Sequence, residues 1–198
     1  MKLSLFKSPA RLNTPLIAVG VIFGVGVLFL TSLAKSAPKR PSQAMIDRAL
    51  ATFKTIPSKT VELGMHHPRW GSDQPKVTIL DFSDFECPYC ARAGRVLKPY
   101  LAEFQNDVQI VYINYPLDAT CNSNMERSFH KQACLASYAA LCAQQEGDFW
   151  GYHDQIFENQ KNLNRAFFLD LAEERGWDRV QFEACLDSAA IKEMVQKD

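Results

Sequence analysis

Apolar side chains run without a charged interruption from Leu16 to Ala34 (LIAVGVIFGVGVLFLTSLA). As a helix these 19 residues reach about 28 Å, close to the hydrocarbon thickness of a bilayer. The run is apolar all round and flanked by charge on both sides, which fits a membrane span better than a buried core helix. A Pro/Ser/Lys linker follows from Ser36 to Pro41. In residues 42–54, Met45, Ile46, Leu50 and Phe53 recur at helical spacing, predicting a short amphipathic helix that ends before Pro57. Thr60–Leu63 reads as a short strand, and His66 to Gln74 as a loop rich in turn residues. Lys76–Phe82 (KVTILDF) predicts a buried strand and Val108–Tyr115 (VQIVYINY) a second one. Ala91–Phe104 between them predicts a helix kinked at Pro99. From Phe129 the pattern is helical throughout. One helix runs to Glu146 and stops at Gly147; Asp148 caps another through about Asn159; Asn164 caps one ending near Gly176; Asp178 caps the last.

The strand–helix–strand order followed by a helical run predicts an α/β fold. Composition adds an asymmetry that the net charge of zero hides. Residues 1–40 carry Lys2, Lys7, Arg11, Lys35, Lys39 and Arg40 and no acid, leaving 16 basic against 22 acidic groups in the remaining 158. An acidic body lacks the basic face that nucleic-acid binding requires. The division expected is a basic segment at 1–15, a transmembrane signal-anchor at 16–34, a linker with a short helix at 35–67, and a domain at 68–198. Ser32 and Ala34 offer a small-residue cleavage site, but the long basic lead and long apolar run predict a retained anchor. Six cysteines in an exported chain fit an oxidising compartment, so the body is expected on the extracytoplasmic, periplasmic side of the cell membrane.

The chemistry-bearing motif is Cys87-Pro88-Tyr89-Cys90, placed where a strand ends and a helix opens. The helix N-terminus offers free N–H groups and the positive end of a dipole, both favouring a thiolate at Cys87. Pro88 suits the first turn because it has no N–H to leave unpaired. A thiol with a pKa near 8.5 is about 3% ionised at pH 7, and one near 7 about half ionised. Cys90, one turn further in, is the expected resolving thiol.

The run VTILDFSDFECPYCAR resembles the active-site strand and helix start of DsbA-like thioredoxin-fold proteins. YINYPLD, ACLASYAALCAQQEGDFWGYHDQIFENQ and FEACLDS resemble that family's helical insertion, here at about 122–190. The resemblance covers roughly residues 68–198. It implies a thioredoxin-like fold and a thiol–disulfide oxidoreductase with Cys87 as nucleophile and Cys90 as resolving partner, and no cofactor. Asp81, six positions before Cys87, matches the family's buried acid that helps move the Cys90 proton. Tyr89 stands where the strongly oxidising members have His, so Pro88-Tyr89 also matches isomerase-like and glutaredoxin-like relatives. The family's cis-proline substrate loop has no counterpart before Asp198, and the sheet is expected to keep an unpaired edge.

Cys121, Cys134, Cys142 and Cys185 admit three full pairings. Cys134 and Cys142 lie eight apart on one helix, about 12 Å of rise, and cannot bridge each other. The CN…H…AC pattern of a subgroup of the family implies Cys121–Cys134, with Cys142 and Cys185 reduced in apolar helix faces. His66 and His67 could join Cys87 and Cys90 around a metal, but no second motif of ligand spacing supports this and no metal is expected. His130 and His153 read as surface or capping residues on helices. Phe149, Trp150, Tyr152 and Phe157 read as core packing of the insertion. The resemblance further implies exported protein thiols and disulfides as partners, with a quinone-linked membrane partner of the DsbB or vitamin K epoxide reductase-like kind. The rival readings are an isomerase or reductase, a non-catalytic thioredoxin-like binding module, and a thiol protein handling Cu(I) or Zn(II).

Overall fold

Residues 41–198 are described by a computed structural model of the chain. The signal-anchor expected at 16–34 lies outside the described residues, and among those described no helix is long and apolar enough to cross a membrane. The chain divides between Thr60 and Val61 into two units. The first holds α1 (Gln43–Thr55), whose N-cap Ser42 accepts a hydrogen bond from the Met45 amide. None of its residues is buried among the described residues, so Met45, Leu50 and Phe53 stay exposed.

The second unit is built on a run of seven residues that are all buried: β3 (Val108–Asn114). A strand covered on both faces reads as a continuous apolar run rather than an alternation, and VQIVYIN does so. β2 (Val77–Ser83) pairs with it in parallel, Ile79 opposite Ile110 and Asp81 opposite Tyr112. The connection is α2 (Pro88–Leu101), so the unit has a β–α–β core. Pro99 lies inside α2 and removes one donor from its ladder two residues before the end, and Ala102–Phe104 continue as a 3₁₀ turn. β1 (Arg69–Gly71) completes the sheet antiparallel to β3, in the order β1-β3-β2. Gly71 closes β1 at φ +101°, where a side chain would meet the Val108 carbonyl.

Helices α3 (Ala133–Gln145), α4 (Phe149–Glu158), α5 (Arg165–Glu174), α6 (Arg179–Asp187) and α7 (Ala189–Lys197) follow. Asp148, Asn164 and Asp178 each cap the next helix by accepting an amide three residues on. In α3, nine of 13 residues are buried, among them five alanines, which places it at the centre of the bundle against α4, α6 and α7. The Tyr152 hydroxyl donates to the Phe168 carbonyl at 2.7 Å, tying α4 to α5. Tyr112 of β3 packs against Phe149, Trp150 and His153 of α4, so the insertion is seated on the sheet through aromatic rings.

Several expectations are corrected. Thr60–Leu63 forms no strand, and the loop expected over His66–Gln74 contains β1 instead, because pairing with β3 outweighs the local turn residues. β2 is not a buried strand: only Ser83 is buried, and Phe82 is 48% exposed, because the outer edge of β2 is unpaired among the described residues. The helix expected from Phe129 begins at Ala133, since the amides of Phe129 and His130 are bonded to the Leu117 carbonyl. The last helix divides at Ser188, whose extended backbone ends α6 and begins α7.

Candidate active site

The dithiol lies where β2 turns into α2. Cys87 is the N-cap of α2 and Pro88 its first residue; Tyr89 is 79% exposed. The turn Asp84–Glu86 is held by one carboxylate. Asp84, 2% exposed, accepts the amides of Glu86 at 2.6 Å and Cys87 at 3.0 Å on Oδ1, and that of Leu117 at 2.6 Å on Oδ2. His130 Nδ1 lies 3.0 Å from the same Oδ2, close enough for an ion pair but without the alignment of a hydrogen bond. Gln160 donates its amide to the carbonyls of Phe85 and Cys87, at 2.8 and 3.0 Å. Glu86 accepts the Gln132 amide and so caps α3, whose own N-cap makes no side-chain bond. Phe85, fully buried, stacks on Tyr112 beneath the turn. The position of Cys87 is therefore set from the strand, the insertion and the loop after β3 together.

Burial pushes the Cys90 thiol up; the Asp84 backbone and the Ser83 hydroxyl pull it down, and the neighbouring Cys87 sulfur adds to the rise. Ser83 Oγ is buried, and among the described residues no aligned hydrogen bond reaches it. A thiol so placed keeps its proton when the pair is reduced, leaving Cys87, at the helix start, as the sulfur open to exchange. Asp81 is half-buried on β2, and burial raises its carboxyl above the ordinary value.

Cys121 and Cys134 are joined, with Cα atoms 5.9 Å apart. Cys142 and Cys185, expected to stay reduced, are also joined, at the same Cα separation, because α6 packs directly on α3. Of six cysteines, the two left free are Cys87 and Cys90. His66 and His67 do not approach the dithiol as a ligand set; they converge on Asp198. His130 lies in the loop before α3 rather than on a helix, and His153 is 1% exposed inside the aromatic cluster rather than at the surface. Sequence reasoning passed over Asp84, although an Asp three residues before a helix N-cap is a readable turn signal.

A β–α–β core with a dithiol at the start of its crossover helix, and a helical bundle seated on the sheet, defines a thioredoxin-fold dithiol protein. The DSBA-like thioredoxin domain family matches residues 78–198, and the chain belongs to that family. It is 29% identical over 180 residues to the Na(+)/H(+) antiporter NhaA of Herminiimonas arsenicoxydans, covering 91% of this chain and 26% of that protein. It is 26% identical over 198 residues to the probable disulfide bond formation protein D of Bacillus cereus, covering 94% of this chain and 81% of that one. The chain thus spans about a quarter of the length of the antiporter relatives it matches. Oxidised BdbD of Bacillus subtilis shares the fold at 22% identity and a TM-score of 0.55, over 67% of this chain and 71% of its own.

Proposed function

We propose that the protein is an extracytoplasmic thiol–disulfide oxidoreductase acting on exported proteins through Cys87. The observation that carries this reading is the sorting of the cysteines: two disulfides take four, and the remaining pair is the dithiol at the helix start. Two disulfides in the body also support an oxidising compartment, with the segment 16–34 as its membrane anchor.

In the oxidising direction a substrate thiolate attacks the Cys87 sulfur of the Cys87–Cys90 disulfide. Cys90 leaves as a thiolate and takes up a proton, which its burial favours. The second substrate thiolate then attacks the mixed disulfide and releases Cys87 as a thiolate. Two electrons pass from the substrate dithiol to the protein, and a quinone-linked membrane partner of the DsbB or vitamin K epoxide reductase-like kind takes them up. Asp81, half-buried on the strand that leads to the dithiol, relays the Cys90 proton.

A glutathione redox titration of the full chain in detergent, read by thiol alkylation and mass spectrometry, tests this. A Cys87–Cys90 potential of about −120 to −180 mV supports the oxidising direction. One near about −270 mV makes the protein a reductase and overturns it. Cys87→Ser should abolish disulfide exchange altogether; retention of turnover would remove Cys87 from its role.

A further inference from the structure

The geometry points to a divalent transition-metal site, of the zinc class, formed by His66, His67 and Asp198 and separate from the dithiol. His66 Nε2 lies 2.8 Å and His67 Nε2 2.9 Å from the same oxygen, Asp198 Oδ1. The other oxygen, Oδ2, is held by the Asn114 amide at 3.2 Å and its side-chain amide at 2.8 Å, so the carboxylate is aimed before any ion arrives. The Asp198 side chain is 1% exposed, and among the described residues no lysine or arginine pairs with it. Lys197, its neighbour, instead pairs with Glu193 at 2.7 Å. A buried carboxylate facing two imidazoles and no fixed cation is compensated well by a divalent ion.

The donor set and its spacing suit such an ion. Two imidazole nitrogens and a carboxylate oxygen are zinc ligands, and the three donor atoms lie within 4.8 Å of one another. Tetrahedral zinc with bonds of about 2.05 Å sets neighbouring donors about 3.3 Å apart. The two His–Asp contacts need to open by about half an ångström, and the two imidazole nitrogens, within 4.8 Å of each other, need to close toward the same spacing. The Gly64 N–H donates to His67 Nδ1 at 2.8 Å, and the Gly64 carbonyl lies 3.2 Å from the same nitrogen. Metal binding requires the other tautomer, in which the Gly64 amide gives up this acceptor, an Nδ1–H donates to the carbonyl, and Nε2 turns its lone pair to the metal. An open cavity of about 490 Å³, lined also by Val61, Glu62, Phe82 and Ile113, gives water access to the remaining coordination positions.

The experiment uses the full 198-residue chain in detergent with Cys87 and Cys90 replaced by Ser, so that the dithiol contributes no ligand. Zn(II) titration by calorimetry should show one ion bound per chain. Co(II) should give the visible absorption of a low-coordinate nitrogen and oxygen site, and Zn(II) should raise the melting temperature. Adding His66→Gln, whose ring is 25% exposed and replaceable with little effect on folding, should weaken binding at least about tenfold. That variant should also lose the zinc-dependent rise in melting temperature. Absence of one-to-one binding in the Ser background, or binding unchanged by His66→Gln, overturns the site. The His–Asp contacts are then hydrogen bonds alone.

Discussion

Asp84 is the residue on which the position of the dithiol turn depends, and replacing it separates charge from hydrogen bonding. Its carboxylate accepts three backbone amides, from Glu86, Cys87 and Leu117. Asp84→Ala leaves the Glu86 and Leu117 amides without an acceptor, while the Cys87 amide keeps the Asp84 backbone carbonyl at 3.1 Å. A buried amide left unpaired costs about 1–3 kcal/mol. Glu86, Cys87 and Leu117 are each only half-buried, so water relieves part of that cost, and about 1 kcal/mol per amide is the appropriate figure. The sum over the two orphaned amides is about 2 kcal/mol, a sizeable part of a domain's typical 5–15 kcal/mol. Asp84→Asn keeps one oxygen, which can serve either the Glu86 and Cys87 amides or the Leu117 amide, and turns an NH₂ toward the others. It should cost about 1 kcal/mol, between wild type and Ala. Urea denaturation with the dithiol reduced gives both values. The turn should also loosen, so the rates of Cys87 alkylation by iodoacetamide should rank in the same order as the stability losses. A loss below about 1 kcal/mol for Asp84→Ala, or an alkylation rate that does not move with stability, would refute the view that this carboxylate sets the turn.

The Cys142–Cys185 bond closes a separation of 43 residues and Cys121–Cys134 one of 13. Chain-entropy arithmetic then assigns about 4 and 3 kcal/mol to them. Paired Cys→Ala variants should rank in that order by urea denaturation, and denaturing alkylation of the dithiol-reduced protein should label Cys87 and Cys90 alone; labelling of Cys142 would remove the second bond. His153 predicts acid sensitivity. Burial lowers its proton affinity, only partly offset by Asp154, while Lys98 adds to the lowering. Because the unfolded chain then binds more protons than the folded one, stability falls as pH drops below about 6.5 and levels off under the depressed folded value. Asp154 adds its own loss at lower pH. Although burial alone would raise it, hydrogen bonds from His153 and Lys98 bring its carboxyl below the ordinary value, so its contribution fades only in the acid carboxylate range. Melting temperatures at pH 7.5 and 5.5 should therefore differ less in His153→Phe than in wild type; an equal difference would place the sensitivity elsewhere.

The features legible from the chain are those whose physics acts within about four residues. Asp148, Asn164 and Asp178 bond amides three positions on, so their side chains announce the helices they cap. The Cys-Pro-Tyr-Cys turn is equally local, and so is the buried run of β3. β1 is three residues long and exists only because Trp70 meets Ile110, 40 positions away; nothing in Arg69-Trp70-Gly71 distinguishes it from the loop around it. The same limit explains the cysteines. An Ala-rich helix buried on nearly every side does not disclose which neighbour faces Cys142, and that neighbour, α6, lies 43 residues on.

The acids near the dithiol show how burial misleads when it is inferred from a strand's own pattern. Asp81 sits in an apolar run and reads as the interior acid, yet among the described residues β2 has an unpaired outer edge and Asp81 is only half-buried. Asp84, just past the strand in a stretch that reads as turn, is the one enclosed. The loop after β3 brings Leu117 to its carboxylate and the segment before α3 brings His130. A carboxylate at a turn is normally solvated; this one is buried because three separate segments satisfy it. That enclosure, rather than the apolarity of β2, makes the start of α2 a fixed platform for Cys87.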